Sequence, residues 1–567
     1  MMDKFPQLQY VRPDMEAVKQ ALNASIDEFL NASSYEEARE HYLRFEELDA
    51  QYSTMFTLAS IRNTMDTSDA FYDGEISYIH SVMPEYRLVL KRASQALTQS
   101  PFKDAFAEEF GSIFIKKAEN AQRIMSEEIA EDLVEESNLE QEYSKTVAAC
   151  SVEFRGETCN FYGLLKHMQS TDRKERKEAF VAWANLYESV SEKLDDIYDQ
   201  LVRIRVRMAK KLGFEDYTEL AYLIKNRFDY KAKDVAAFRE QVQKVIVPAC
   251  ERIFETQRRR LGVDKLRCYD ESLVFPEGNA TPIGDMEYLV NAAGEMYRDL
   301  SPQTGEFFDF MMEHELFDLV TRPNKHMGGY CTFLRAYKAP FIFSNFNGTS
   351  ADVDVLTHET GHAFQAYVAS RTLPIMAIRG STSEINEIHS MAMEHFAYPY
   401  MEKFFGEKAD QYLYAHLASA LTVIPYLVSV DEFQHRVFEK PEMSAKERRQ
   451  VWREIERKYQ PWRDYDGNTF LEEGGFWMQK QHIFLYPFYY IDYALAQICA
   501  FELYGRMKKD PKLAWEDYYR LCRAGGSKGY FELLEVANLH NPFREGSVEA
   551  AVSTVINELE ASPFSKV

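Results

Sequence analysis

Residues 349–374 read TSADVDVLTHETGHAFQAYVASRTLP. The string divides into a helix start, an amphipathic body and a proline stop. Thr349, with Asp352 three positions on, has the form of a capping box at a helix's positive end. Val355, Leu356, Ala363, Phe364 and Tyr367 supply an apolar side, and the helix must close before Pro374. Inside it lies His358-Glu359-Thr360-Gly361-His362, the HExxH pattern. Four helical residues advance by about 400°, so both imidazoles emerge on one face a turn apart. Glu359 adjoins that face, where its carboxylate can reach a cation's water rather than the cation. The bland alternative is a helix that merely contains two hydrogen-bonded histidines. The helical setting argues against it.

A catalytic zinc takes three protein ligands and keeps one position open, so a third donor is needed beside His358 and His362. HExxHxxGxxH would require Gly at 365 and His at 368, where the chain has Gln365 and Val368. A glutamate about nineteen residues past the second His is excluded too, by Ser381 and Thr382. The next carboxylates are Glu384 and Glu387. Ser381 with Glu384 reads as a second capping box, which gives Glu384 to a helix start and leaves Glu387 for the metal. Glu387, Ser390, Met391 and Glu394 then share one helical face.

The chain around this site has 567 residues, 46% hydrophobic and 28% charged, which describes a folded protein with a sizeable core. A net charge of −24 argues against nucleic acid or an anionic membrane as the main partner. Seven cysteines, an odd number with no CxxC pair, suit reduced thiols and exclude a Cys-ligated zinc site of the usual spacing. No apolar run follows Met1, so no signal peptide is expected. Tyr412 to Val430 carries no formal charge, and with Pro425 inside it reads as a buried, kinked core helix rather than a membrane span. These features together predict a soluble cytoplasmic enzyme, with its oligomeric state left open.

Helical periodicity dominates. Expected helices cover Met15–Leu30, Tyr35–Met65, Leu88–Phe110 interrupted at Pro101, a long segment Ile113–Thr146, and Asp172–Leu212 after a hairpin around Arg155-Gly156-Glu157. Pro and Gly mark a loop over Ser272–Met286. Gly328–Leu334 and Phe341–Phe346 read as two strands just before the metal helix. Gly525-Gly526-Ser527-Lys528-Gly529-Tyr530 lacks the order of a phosphate loop and reads as a flexible connection. The fold class is mainly α with one small sheet beside the HExxH helix. From Gln481 to Tyr493 the chain packs His482 and the tyrosines 486, 489, 490 and 493 together, mostly a buried aromatic stripe.

With HETGHAFQ followed by NEIHSMAME and Glu387 at 25 positions past His362, the chain resembles the thimet-oligopeptidase and oligoendopeptidase F family of zinc peptidases. Further matches are Phe343–Thr349, Gly328-Gly329-Tyr330-Cys331, Ser170–Lys177 and the Tyr-rich segment near 490. The similarity covers most of the chain and is greatest to bacterial members of about this length. It implies two helical lobes, 1–180 and a catalytic 181–567, around a deep substrate channel. It implies one Zn²⁺ per chain on His358, His362 and Glu387, with Glu359 as base. Tyr493, with His482 or Tyr486, would steady the oxyanion, and Gly328, Gly329, Tyr330 and Tyr490 would contact substrate. The implied activity is hydrolysis of internal bonds in short oligopeptides. Two alternatives stand beside it. A dipeptidyl carboxypeptidase would need Arg335 or Lys338 to capture a terminal carboxylate, and a helical binding module would carry an inactive site.

Overall fold

The computed structural model describes residues 2–566. Helices make up most of it, interrupted by five short strands: β1 (Val152–Phe154), β2 (Glu157–Cys159), β3 (Phe317–Val320), β4 (Tyr330–Leu334) and β5 (Ala339–Phe346). β1 and β2 form an antiparallel hairpin, and the other three form a sheet in the order β3-β5-β4. The mainly α class with a small sheet beside the HExxH helix is what the periodicity predicts. The sheet has one strand more than expected. β3 is four residues long and pairs parallel to β5, too short to show a period of its own. β4 starts at Tyr330, so Gly328 lies in the bend that leads into it and Gly329 just before the strand.

The chain divides into two compact units, each assembled from three separate segments. The first comprises residues 1–123, 281–407 and 506–539, and the second 124–280, 408–505 and 540–567. Residue 180 lies inside one continuous helix, Arg173–Lys211, and both of the expected lobes contribute to both units.

In the first unit, helices Met15–Leu30, Tyr35–Met65, Ala70–Gln99, Lys103–Phe110 and Ser112–Arg123 bury one apolar cluster that includes Leu22, Phe29, Phe106 and Phe114. The helix expected from Leu88 already begins at Ala70, where Asp69 caps it, and runs through Pro84 to Gln99. β5 is the centre of the sheet and is buried along its length except at Asn345. It delivers the chain to the HExxH helix, Ala351–Thr372. The expected Thr349–Asp352 capping box takes another form. The Asp352 carboxylate accepts from the backbone N–H of Asn347 at 3.0 Å and of Gly348 at 2.8 Å, while Thr349 Oγ1 bonds Asn347 Oδ1. Asp352 thus ties the end of β5 to the first turn of the helix. The 525–530 connection is held rather than loose, since Gly526 N–H donates to Ile378 O at 2.8 Å.

In the second unit the expected long helix Ile113–Thr146 is absent as a single element. Its first part ends at Arg123 in the other unit, and a new helix, Ala130–Ala148, begins after a short turn that Ser126 caps. Arg173–Lys211 matches its expected span and starts from Asp172 as cap. Tyr412 to Val430 is two helices, Ala409–Thr422 and Ile424–Glu439, rather than one kinked helix. Pro425 falls in the first turn of the second, where its missing N–H costs nothing. The stretch Glu402–Glu439 is long and apolar enough to cross a membrane, but Leu417, Leu421, Leu427, Val428 and Phe433 are packed inside the unit.

Candidate metal centre

Two helices of the first unit build the site. The HExxH helix packs against Ser383–Phe396 so closely that Gly361 faces the opposite backbone directly. A Cβ at Gly361 would lie 2.5 Å from the carbonyl oxygen of His389 and 2.6 Å from Cα of Ser390. Only glycine permits this approach. It sets His358 and His362, on either side of Gly361, against Glu387 on the second helix.

His358 Nε2 stands 3.4 Å and His362 Nε2 3.5 Å from Glu387 Oε2. The three donor atoms all lie within 4.8 Å of one another, and the two rings are 5.0 Å apart at 83°. Donors bound at zinc distances in a tetrahedron stand roughly 3.3 Å apart, so the spacing and the donor types both fit a divalent ion of that class. Glu384 is the other carboxylate near this sequence position. It sits buried in the first turn of its helix and is outside the donor set. The Ser381–Glu384 capping box does not form, because Thr382 occupies the cap position and Ser381 N–H turns to the Asn386 side chain at 3.2 Å.

A fourth residue orients the first histidine. His358 Nδ1 is 2.6 Å from Glu394 Oε1, which fixes the ring so that Nε2 points to Glu387. Ser390 Oγ donates to Glu387 Oε2 at 3.0 Å. In the sequence Glu394 is marked only as a member of the Glu387 face, by its seven-residue spacing from Glu387. Burial disfavours charge on His358, but hydrogen bonds to Glu387 and Glu394 outweigh it and hold the imidazole well above its ordinary value. Burial likewise opposes ionisation of Glu387, yet hydrogen bonds from His358 and His362 hold its carboxyl well below the usual range. Glu359 is pushed up by burial. The two imidazoles oppose this, and Glu387 and Glu394 add to it.

β4 is an edge of its sheet and lies beside the HExxH helix. A Cβ on Gly329 would come 3.3 Å from the Val355 side chain, one turn before His358. Burial, with the Glu359 charge behind it, pushes the Cys331 thiol well above its ordinary value, as suits an inert cysteine. The Tyr330 ring stacks on Phe343 at 4.8 Å, and its hydroxyl meets Thr64 Oγ1 at 2.6 Å. Arg335 is engaged as well, 2.6 Å from Asp49 Oδ2. Lys338 is exposed at the β4–β5 turn, in left-handed backbone.

The aromatic segment belongs to the second unit, and there the expected residues do come together. His482 lies 4.7 Å from the ring of Tyr490, 5.7 Å from Tyr486 and 6.5 Å from Tyr493. Tyr486 is half exposed, and Tyr490 and Tyr493 occupy the first turn of the helix Tyr490–Met507. Burial, followed by the cations of Lys480 and Lys225, lowers His482 to about 4, so its ring is neutral near pH 7. Lys480, which no motif in the sequence marks, sits 5.0 Å above the Tyr490 ring, and burial lowers it to about 8.

Comparison with known proteins gives a consistent picture. Residues 5–125 match the peptidase M3 N-terminal domain, and residues 166–277 and 305–552 match peptidase family M3. An oligoendopeptidase F homologue of Borreliella burgdorferi is 24% identical over 389 residues, covering 66% of this chain and 62% of the relative. The chain therefore matches just under two thirds of that protein's length. The crystal structure of a provisionally assigned oligoendopeptidase F is 44% identical with a TM-score of 0.94, both chains being covered completely. PZ peptidase A, solved with an inhibitor, is 45% identical with a TM-score of 0.93, over 99% of this chain and 100% of that one.

Proposed function

Since the chain belongs to peptidase family M3, we propose that it is a zinc-dependent endopeptidase that hydrolyses internal bonds of short, unfolded oligopeptides. The observation that carries this reading is the convergence of His358, His362 and Glu387 at metal-donor spacing, with Glu359 next to the first histidine. A zinc ion held by those three would supply Lewis-acid polarisation of the scissile carbonyl and would acidify a water molecule.

The chain's own residues do the rest. Glu394 holds His358 in the tautomer that offers Nε2, and Ser390 steadies the Glu387 carboxylate. Glu359 takes a proton from the attacking water and hands it to the leaving amine; a carboxyl raised by burial is suited to both transfers. The edge strand β4, with Gly328 and Gly329 leading into it, would pair with the backbone of an extended peptide and ask little of its sequence. Tyr493, with His482 or Tyr486, is assigned the hydrogen bonds to the tetrahedral oxyanion, and Tyr490 a contact with substrate. Of the two cations the carboxypeptidase alternative would use, Arg335 is paired with Asp49 and Lys338 is exposed.

Glu359→Gln is the direct test. The variant should keep one zinc at the HExxH centre while kcat falls by about 10²- to 10⁴-fold. Mass spectrometry of a peptide library of graded length, with and without chelator, would show internal cleavages that disappear on metal removal. A zinc-loaded, unmutated protein that cleaves no peptide would overturn the proposal in favour of a binding module.

A further inference from the structure

The second unit gathers another mixed donor set, around the β1–β2 hairpin. Cys159 pairs with Val152 and Glu157 with Phe154, and being two residues apart on β2, Cys159 and Glu157 point to one face. His167 ends the short helix Phe161–His167 that follows. A carboxylate oxygen of Glu157, Sγ of Cys159 and a ring nitrogen of His167 lie within 4.8 Å of one another.

Three features show that this grouping is built. His167 Nδ1 is 2.6 Å from Glu175 Oε1, and Ser170 Oγ donates to the other Glu175 oxygen at 2.9 Å. A carboxylate that accepts from Nδ1–H fixes the ring and leaves Nε2 as the nitrogen free to bind a metal, the same device that Glu394 provides for His358. Cys159 is 4% exposed and makes no hydrogen bond among the described residues, so its sulfur is a buried donor without an intramolecular use. Finally, the helix passes the sulfur at a glycine. A Cβ on Gly163 would stand 3.3 Å from Cys159 Sγ, and glycine leaves that space open.

We propose that Glu157, Cys159 and His167 form a second metal site, which takes a zinc-class divalent cation with its fourth position open to solvent. Thiolate, imidazole and carboxylate together favour zinc and its neighbours over magnesium or calcium, which prefer all-oxygen sites. The surroundings are net anionic. Glu153 and Glu157 act on the thiol against one cation, Lys166, while Arg155 is paired with Glu175 and Glu178. On binding, the Cys159 thiol releases its proton to solvent as the sulfur–metal bond forms. The ion joins β2 to the end of the Phe161–His167 helix and, through Glu175, to the first turn of Arg173–Lys211.

The HExxH centre contains no sulfur, which makes the second site separately visible. Full-length protein stripped with chelator and titrated with Co²⁺ should take up two equivalents, one of them giving a near-ultraviolet thiolate-to-cobalt charge-transfer band. Cys159→Ser should remove that band and one equivalent, and His362→Ala should leave the band in place. Glu175→Gln should weaken the band-forming site about 10- to 100-fold without changing the other. Uptake of a single equivalent with no thiolate band, or a band that survives Cys159→Ser, would overturn the proposal. Should Cys159→Ser not fold, Glu157→Gln at an exposed position decides the matter: unchanged Co²⁺ affinity at the band-forming site refutes it.

Discussion

Replacing Gly361 with alanine adds one methyl group and should disable the metal centre without touching a ligand. The new Cβ would stand 2.5 Å from the His389 carbonyl oxygen and 3.0 Å from its carbon, against the 3.4 Å at which ordinary contact begins. Both sides are backbone, so no side chain can swing away, and the two helices must separate by about 0.9 Å. Glu387 is half a turn from His389 and moves with it. The separations of 3.4 and 3.5 Å between the imidazoles and Glu387 Oε2 then widen to roughly 4 Å, beyond the spacing of donors on a tetrahedral zinc. Two energies oppose each other. Alanine favours a helix interior by about 1 kcal/mol over glycine, whereas overpacking a rigid interface costs about 1–3 kcal/mol or more. The clash should win, with a net loss of stability. A misplacement near 1 Å at a reacting centre costs about 10²-fold in rate. Zinc affinity measured by chelator competition, kcat/KM on an internally quenched peptide and Tm should therefore all fall. Gly74 is the control: it lies within helix Ala70–Gln99 with nothing inside 4 Å of its would-be Cβ, so Gly74→Ala should be neutral or stabilising by up to about 1 kcal/mol. If Gly361→Ala keeps wild-type zinc affinity and kcat/KM, the close approach of the two helices does not set the site.

Glu394→Gln should lower zinc affinity by about 10- to 100-fold, because the charged acceptor behind His358 Nδ1 is lost while all three ligands remain; isothermal titration of the stripped protein measures it. Tyr493→Phe should reduce kcat by about 10²- to 10³-fold with zinc content unchanged, and an unaltered kcat would remove the tyrosine from the oxyanion role. His435 predicts an acid-sensitive stability. Burial lowers it from 6.5 to about 4 in the fold, so below pH 6.5 the unfolded chain binds the extra proton first. Its contribution is therefore complete above pH 6.5 and is lost as pH falls towards 4, in all by about 3 kcal/mol. Urea denaturation from pH 7.5 to 4.5 should show a shallower decline for His435→Gln than for the unmutated chain.

Legibility along this chain follows the range over which each feature is determined. The HExxH helix is local: its period, apolar side and proline stop all lie within 349–374, and the structure places it there. In the sequence Glu387 stands out only if Glu384 is taken up by a capping box, and the fold does not make that box. It joins the donor set because its helix face meets the histidines, and that is a tertiary fact. Glu394 and Gly361 belong to the same class. Each is an ordinary residue of an amphipathic helix until the partner helix is placed opposite, when one becomes the support of His358 and the other the point of contact. β3 escaped because four residues carry no period, and the break at 123–130 escaped because the cap at Ser126 lies within an apolar pattern that continues across it. The two units could not be read from order along the chain at all, since each is closed by segments hundreds of residues apart. A five-residue motif therefore marks where two imidazoles share a helix face, while their placement against Glu387 depends on the contact at Gly361 and on Glu394, which only the packed helices reveal. Substitution at Gly361 or Glu394 should accordingly cost the site more than substitution at most residues that merely lie next to the motif.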